Sequence, residues 1–486
     1  MAGIGFHLQP LFKKDYYSSK LKAYGFASLI TAGPWIIMTA AIGIIQFILG
    51  QFSTVNTGER ELFIFSVCYC FIFSQIIFSS QQLTATRYVS DLIYEKKYSL
   101  IFPAFLGLTK VISVLALLSW GVFAVISPLP LLYKAVLLFL FLTVNQIWVL
   151  LLFLSAAKHY QIIVNAFLFG GAAAILSNFT VCWYSDYFTG DYMLPFMLLL
   201  GFYLGMSVTM FILFISLLKT FPDWATENQF GYFSYFGKYP MLVGAGILYN
   251  LSIWICTWLI WFGEGAQVIQ HSFLVHPLYD MAIFWSYLTI LPILILFVVS
   301  IETRFYLKYI AFFRAVNEGG TLEQIRQAKE KMVTVLWQEI QRVFRIQLIF
   351  SGVIIVLAGY IFGQLGLDDQ FVNMFRMTAV GAFANGMLLI MFLLLLYFDD
   401  QKGALYSTIL FFLTNLTLTL AFLPGGIEWF GLSFCIGAFA SFIFAALRLM
   451  FYLKSLEYHV FCKPAPAQRG NWLTKFGQWL DKKALI

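Results

Sequence analysis

In the stretch SQIIFSSQQLTATRY, Gln75, Ser79, Gln82 and Thr86 recur at intervals of four, three and four residues, so on an α-helix they share one face. Asn250, Trp254, Thr257 and Trp261 recur at the same intervals, with Trp258 alongside. Arg376, Thr378 and Asn385 follow in one later apolar run, and Thr408, Asn415 and Thr419 in the next. Amides and hydroxyls exchange hydrogen bonds with sugar hydroxyls, and indole faces stack on the C–H surfaces of pyranose rings. The set therefore suits a carbohydrate path. The competing reading is polar contacts between helices plus a belt of interfacial tryptophans.

These residues sit in segments that water cannot solvate. The chain of 486 residues is 61% hydrophobic and 11% charged, with mean hydropathy +0.84. Soluble domains are about a quarter charged, so the solvent here must be lipid. A span needs roughly 20 apolar residues. Twelve runs qualify: 22–49, 62–85, 101–126, 135–157, 162–184 and 193–218, then 241–262, 279–301, 346–363, 372–397, 404–423 and 429–453. With the N-terminus inside, all but five of the 30 Lys and Arg fall in inside segments. The five are Arg60 and Lys134 outside, and Lys110, Arg376 and Arg448 within spans. The positive-inside rule then places both termini in the cytoplasm. The net charge of +7 reads as topology and contact with anionic lipid, not as nucleic-acid binding.

Polar groups inside lipid are costly and mark cavities or helix contacts. Their spread over both halves is expected for a central cavity. Lys110 lies nine residues into the third span, about 13 Å at helical rise; it either snorkels, lines the path, or pairs with an acid such as Asp280. Arg376 lies only a few residues into the tenth. No acid falls in the middle of a span, so a coupling carboxylate is not evident. Gly33-Pro34 in TAGPW stands about a third of the way along the first span. Proline removes a backbone donor, so a kink is expected there, either static or a hinge between inward- and outward-open states.

The organisation reads as two halves: 1–218, a linker 219–240, 241–453 and a tail 454–486. Thr86-Arg87-Tyr88 at the end of the second span matches Thr303-Arg304-Phe305 at the end of the eighth, and Tyr24-Gly25 matches Phe236-Gly237. Paired halves are a usual transporter design. The fold class that follows is an all-α polytopic membrane protein of twelve transmembrane helices. They form two pseudo-symmetric six-helix lobes around a central cavity.

Outside loops are short, and the longest, GEGAQVIQHSFLVHP, carries His271 and His276 as loop residues rather than as a site. Inside, Thr321 with Gln324 makes a capping-box start. Leu322, Ile325, Met332, Leu336, Ile340 and Val343 then form an apolar stripe. An amphipathic helix over 321–343 is expected on the inner leaflet or against a partner. Arg326, Lys329 and Lys331 on its exposed face are candidate docking residues. Trp472, Leu473, Phe476, Trp479 and Leu480 form a second such stripe in the tail. None of the six cysteines has zinc-site spacing, and phosphate loops, nucleophile elbows and His-Glu-x-x-His motifs are absent. Neither enzyme activity, nor a metal, nor a cofactor is expected.

The chain opens MAGIGFHLQPLFKKDYYSSK, with its lysines after the apolar decapeptide. A secretory signal has the reverse order, so this segment is expected to be retained. MAGIGF, the basic patch, AYGFASLITAGPWI and the inside loop TRYVSDLIYEKK together resemble the PelG family, membrane exporters of the Pel exopolysaccharide system. The family pattern would place an acid at position 7 and basic residues near 9–10, where this chain has His7, Gln9 and Pro10. The resemblance implies the multidrug/oligosaccharidyl-lipid/polysaccharide exporter fold and passage of an amino-sugar polymer through the bacterial inner membrane, supporting a biofilm matrix. It also implies a cytoplasmic glycosyltransferase partner like PelF and membrane partners like PelD and PelE. The alternatives are a scaffold subunit of a polysaccharide synthase complex and a lipid-linked oligosaccharide flippase. No catalytic residue is implied.

Overall fold

A computed structural model describes residues 25, 28, 32–52, 56–188, 190, 192–223, 227–462 and 472–484. The N-terminal signature, and Tyr24 of the internal repeat, lie outside the described residues. In chain order the helices are α1 (Gly33–Gln51), α2 (Thr57–Tyr94), α3 (Ile101–Ile126), α4 (Leu131–Ala156), α5 (Tyr160–Trp183), α6 (Met193–Thr220), α7 (Phe233–Lys238) and α8 (Pro240–Ile260). A hairpin of β1 (Gln267–Ile269) and β2 (Phe273–Val275) follows. Then come α9 (Pro277–Leu288), α10 (Leu291–Ser300), α11 (Tyr306–Asn317), α12 (Leu322–Gln364), α13 (Asp369–Tyr397), α14 (Gln401–Phe422), α15 (Leu432–Lys454), α16 (Leu456–Phe461) and α17 (Trp472–Ala484). Twelve segments among the described residues are long and apolar enough to cross a membrane, and each coincides with one of the twelve runs read from the sequence.

The chain forms two compact units. The N-terminal unit holds Gly33–Trp254, the hairpin and α17; the C-terminal unit holds Ile255–Ala266 and His276–Lys463.

In the N-terminal unit, α5 and α6 approach closely because small residues face each other. A Cβ on Gly205 would lie 2.6 Å from the Gly170 carbonyl, and Gly170 in turn faces Thr209. Gly170 with Ala174, and Gly205 with Thr209, are the small-x-x-x-small spacings that let membrane helices touch through their backbones. The hairpin is seated on the same unit: Tyr69 donates its hydroxyl to the Leu274 carbonyl at 2.6 Å, and the Phe273 ring packs against Tyr69 and Phe123. The tail helix α17 lies on α7. Phe476 stacks on Phe233, and Asp481 accepts the Phe230 backbone N–H at 3.1 Å. One face of this helix is thus occupied by its own chain, while Trp472 and Trp479 remain exposed.

In the C-terminal unit, α13 is the most buried span, packed against α9, α12, α14 and α15. The eighth span is not one helix. It breaks between Leu288 and Leu291, with Pro292 in the first turn of α10, where a missing N–H costs nothing. Gln347 of α12, fully buried, donates Nε2 to the Thr289 carbonyl freed by the break, at 2.6 Å. A π-helical turn, Ile301–Phe305, then leads into α11.

One expectation about local structure needs correction. The capping box at Thr321 forms as expected. The helix does not stop at Val343, however; α12 runs 43 residues without interruption into the ninth span. Ile325, Met332, Leu336, Ile340 and Val343 are buried within the protein, whereas Leu322 is exposed. A segment continuous with a span cannot lie along the leaflet as a separate helix. At Gly33-Pro34, the Ala32 N–H donates to the Ser28 carbonyl, and α1 begins at Gly33 with Pro34 in its first turn.

Replacing Gly205 with Leu should force α5 and α6 apart. Overpacking at such a contact costs about 1–3 kcal/mol. The purified variant should melt several degrees below the native chain in tryptophan-fluorescence scans, whereas Gly121→Ala, where an added Cβ meets open space, should melt as the native chain does.

Candidate functional site

The polar stripe divides between the two units. Gln75, Ser79, Gln82, Thr86, Lys110, Asn250 and Trp254 belong to the N-terminal unit; Thr257, Trp258, Trp261, Arg376, Asn385 and Asn415 belong to the C-terminal unit.

In the N-terminal unit, α8 comes against α2. A Cβ on Gly246 would lie 2.9 Å from the Ser79 carbonyl. Two turns further along α8, Trp254 Nε1 donates to Gln75 Oε1 at 3.4 Å. This is a direct side-chain link between the two stripes that the sequence singled out. Other members turn inward on their own helices. Ser79, buried, donates to the Ile76 carbonyl, Asn250 to Gly246, and Thr86 to Gln82. Gln82 and Thr86 are exposed. Lys110 donates to Gln229 Oε1 at 2.7 Å. Gln229 is brought there by a loop that passes so close to Gly107 that any side chain at that position would strike its backbone.

Asp280, the acid considered as a partner for Lys110, is engaged otherwise. Trp261 Nε1 donates to both of its oxygens, at 3.0 and 3.1 Å, and the His276 backbone N–H donates to Oδ2 at 3.0 Å. Trp261 is accordingly a buried structural residue of the C-terminal unit. Nor is His276 a loop histidine. It is buried and caps α9, its Nδ1 accepting from Tyr279 N at 3.1 Å. Nδ1 must therefore be unprotonated, so Nε2 carries the hydrogen it donates to the Glu264 carbonyl at 2.9 Å. The sequence signal for this cap was the His-Pro pair that opens the eighth span.

The remaining residues lie between helices. Arg376 reaches the Ile355 carbonyl and Asn373, both at 3.4 Å. Asn385 is buried. Asn415 fills the space over Gly437 of α15, and Thr419, one turn on, donates to Ser433 at 2.8 Å beside Cys256. Among the docking candidates, Arg326 and Lys331 are exposed. Lys329 is held within the chain, donating to Glu457 at 2.6 Å and to the Lys454 carbonyl at 2.9 Å.

Charged groups missed in the sequence gather at helix ends. Arg448 makes a bidentate pair with the buried Asp400, at 2.7 and 3.0 Å. The repeated triads diverge. Arg87 lies 4.5 Å over the Tyr239 ring, whereas Arg304 bonds Glu339 at 2.9 Å. The aromatic residue after each arginine, Tyr88 or Phe305, is buried in both. No group of three His, Cys, Asp or Glu that could hold a metal ion occurs among the described residues.

Residues 1–461 match the family model PelG, described as "Putative exopolysaccharide Exporter (EPS-E)". The chain belongs to the PelG family. No curated protein matches it. Solved structures of similar fold are transporters. An outward-facing multidrug resistance MATE family transporter of the MOP superfamily aligns with TM-score 0.60 and 14% identity, over 89% of this chain and 96% of that one. A MOP superfamily transporter from Pyrococcus furiosus aligns at 0.58 and 14%, over 90% and 96%. The Vibrio cholerae MATE transporter VcmN in its bent form aligns at 0.56 and 13%, over 91% and 99%. At these identities the likeness is one of fold. Family and fold together describe a multi-pass membrane transporter of the exopolysaccharide-export class.

The cap at α9 gives this PelG chain an acid-sensitive element. Burial pushes the His276 imidazole below its ordinary value of 6.5, and its bond to the Glu264 carbonyl only partly opposes that. The unfolded chain then binds the extra proton more readily. The cap's contribution is complete above 6.5 and declines as pH falls through that value. Thermal melts from pH 8 to pH 5.5 should show the native chain losing more stability than His276→Ala, the variant being less stable at pH 8; parallel curves would remove His276 from the pH response.

Proposed function

We propose that this protein exports an amino-sugar-rich exopolysaccharide of the Pel type, made by a cytoplasmic glycosyltransferase, through the bacterial inner membrane. The observation that carries the reading is the match to the PelG exporter family over nearly the whole chain. The transporter fold is compatible with it. Both termini face the cytoplasm in this reading, because that orientation puts most of the Lys and Arg inside. In the N-terminal unit, Gln75 and Trp254 are the sugar-facing pair of the route: an amide for hydroxyls and an indole face for the ring. Gly33-Pro34, at the start of α1, is the hinge.

The polymer must be handed over where it is made, so a PelF-like glycosyltransferase docks on the cytoplasmic face, with PelD-like and PelE-like membrane proteins completing the assembly. Arg326 and Lys331 on the free face of α12 are the contacts. Lys329 serves the chain's own α16 through Glu457.

Deleting the gene while leaving the synthase intact should yield polymer that stays inside the cell. Absence of polymer altogether would instead indicate a scaffold subunit, and normal secretion would sink the exporter reading; accumulation of short lipid-linked sugars would indicate a flippase.

Trp254→Ala should reduce secreted polymer severalfold at unchanged protein level, an effect of about 1 kcal/mol or more for loss of one stacking partner. Trp261→Ala should instead lower the melting temperature, since that indole holds Asp280. If folded Trp254→Ala chains secrete normally, Trp254 belongs to the aromatic belt.

A further inference from the structure

We propose that the tail helix α17 lies in the headgroup layer of the chain's own membrane, with Trp472, Phe476 and Trp479 inserted among anionic lipids and Lys475 and Lys482 on their phosphates. The three aromatic residues recur at intervals of four and three, so they share one face of the helix. They are exposed, and their rings follow one another at 6.2 and 5.8 Å. Lys475, Gln478 and Lys482 form the adjoining face and are exposed as well. The only acid in the helix, Asp481, is turned toward the chain itself, where it accepts the Phe230 N–H.

Two observations select the bilayer as the cover for the aromatic face. The first is depth. Phe476 stacks on Phe233, Phe233 packs edge-on against Tyr232 at 4.8 Å, and the Tyr232 ring lies 6.4 Å from that of Tyr88. Tyr88 stands three residues beyond the apolar run 62–85 of α2, about 4.5 Å at helical rise. On the other side of the contact, α7 ends two residues before α8, the seventh span. A headgroup layer is about 5–8 Å thick, so these contacts hold α17 at its level. The second observation is the direction of the aromatic face. Gly477 is buried, and a Cβ there would lie 3.1 Å from the Phe230 carbonyl and 3.2 Å from the Phe233 ring. Phe476, its neighbour, stacks on Phe233 yet stays exposed. The aromatic face therefore borders the contact with α7 instead of lying opposite it. Whatever covers the rings lies beside α7, where the seventh span enters the membrane. Aromatic rings on one face and lysines on the next are complementary to acyl chains beneath negative headgroups. The linker around Phe230 and Phe233 is thereby fastened to the bilayer through α17.

The test uses the full chain in nanodiscs of phosphatidylglycerol or of phosphatidylcholine with identical acyl chains. Amide hydrogen exchange over residues 472–484 is read by mass spectrometry. The native tail should exchange about 25-fold more slowly in phosphatidylglycerol, each lysine near an anionic surface contributing about fivefold. Lys475→Glu combined with Lys482→Glu should abolish that difference. Trp472→Ser combined with Trp479→Ser should speed exchange of the tail in both lipids. Neither pair should alter exchange in the spans. Equal exchange of the native tail in the two lipids overturns the proposal and leaves the aromatic face to a protein partner. A lipid difference that survives the lysine pair, or native exchange in the tryptophan pair, overturns it as well. Should the tryptophan pair unfold the tail, the native comparison and the lysine pair decide. The readout is independent of whether the chain exports a polysaccharide.

Discussion

In hydrocarbon, every backbone polar group must find its partner inside the chain. The rest of the structure follows from that requirement. It enforces helices over all twelve spans, and it decides what the hydroxyl and amide side chains do there. Ser79, Ser177, Thr209, Ser216, Asn250, Ser252 and Ser407 all donate to carbonyls three or four residues back on their own helix. Where a helix breaks, a side chain steps in: Gln347 occupies the carbonyl of Thr289 freed ahead of Pro292. A polar residue in a span is thus first satisfied by its own helix, and only the remainder can face a substrate.

That is why the spans were legible in the sequence and the site largely was not. Hydropathy over windows of about 20 residues reports lipid exposure directly, and all twelve runs found their helices. Helical spacing correctly put Gln75 and Trp254 on faces that meet. It could not show that Trp261, at the same spacing, is spent on Asp280. That bond joins a span to the start of the next one, through a cap that forms only when the chain turns back at His276. Periodicity also misjudged α12. The pattern changes near Ile346 from one apolar stripe to apolar all round, which reads as a boundary between two helices. Yet neither glycine nor proline interrupts the chain from Thr321 to Ser351, so nothing stops the helix from running through.

The ends of the spans carry the ionic chemistry that lipid excludes from their middles. Arg448 with Asp400, Lys329 with Glu457, and Arg304 with Glu339 tie neighbouring elements of the C-terminal unit. These pairs are partly buried, so breaking one leaves a charge poorly solvated. The two Thr-Arg-aromatic triads share one feature at such an end. The aromatic residue is buried in each, while the arginine meets an aromatic ring in one unit and a carboxylate in the other. Packing is the common element; the charge partner differs.

Similar transporter folds at 13–14% identity mean that the backbone plan is compatible with very different side chains. The scaffold therefore carries no information about cargo; that must reside in the side chains left over once the helices are satisfied. In the N-terminal unit the exposed Gln82 and Thr86, and the partly buried Gln75 and Trp254, are such a remainder, with Lys110, nine residues into α3, held by Gln229. Thr86 already donates its hydrogen to its own helix but keeps oxygen lone pairs, so it can still accept a further hydrogen bond. In the proposed route, a mainly hydroxyl- and amide-bearing surface would bind a polymer by many weak, replaceable bonds, and a polymer that must keep moving needs that kind of surface, because a tight site would hold it.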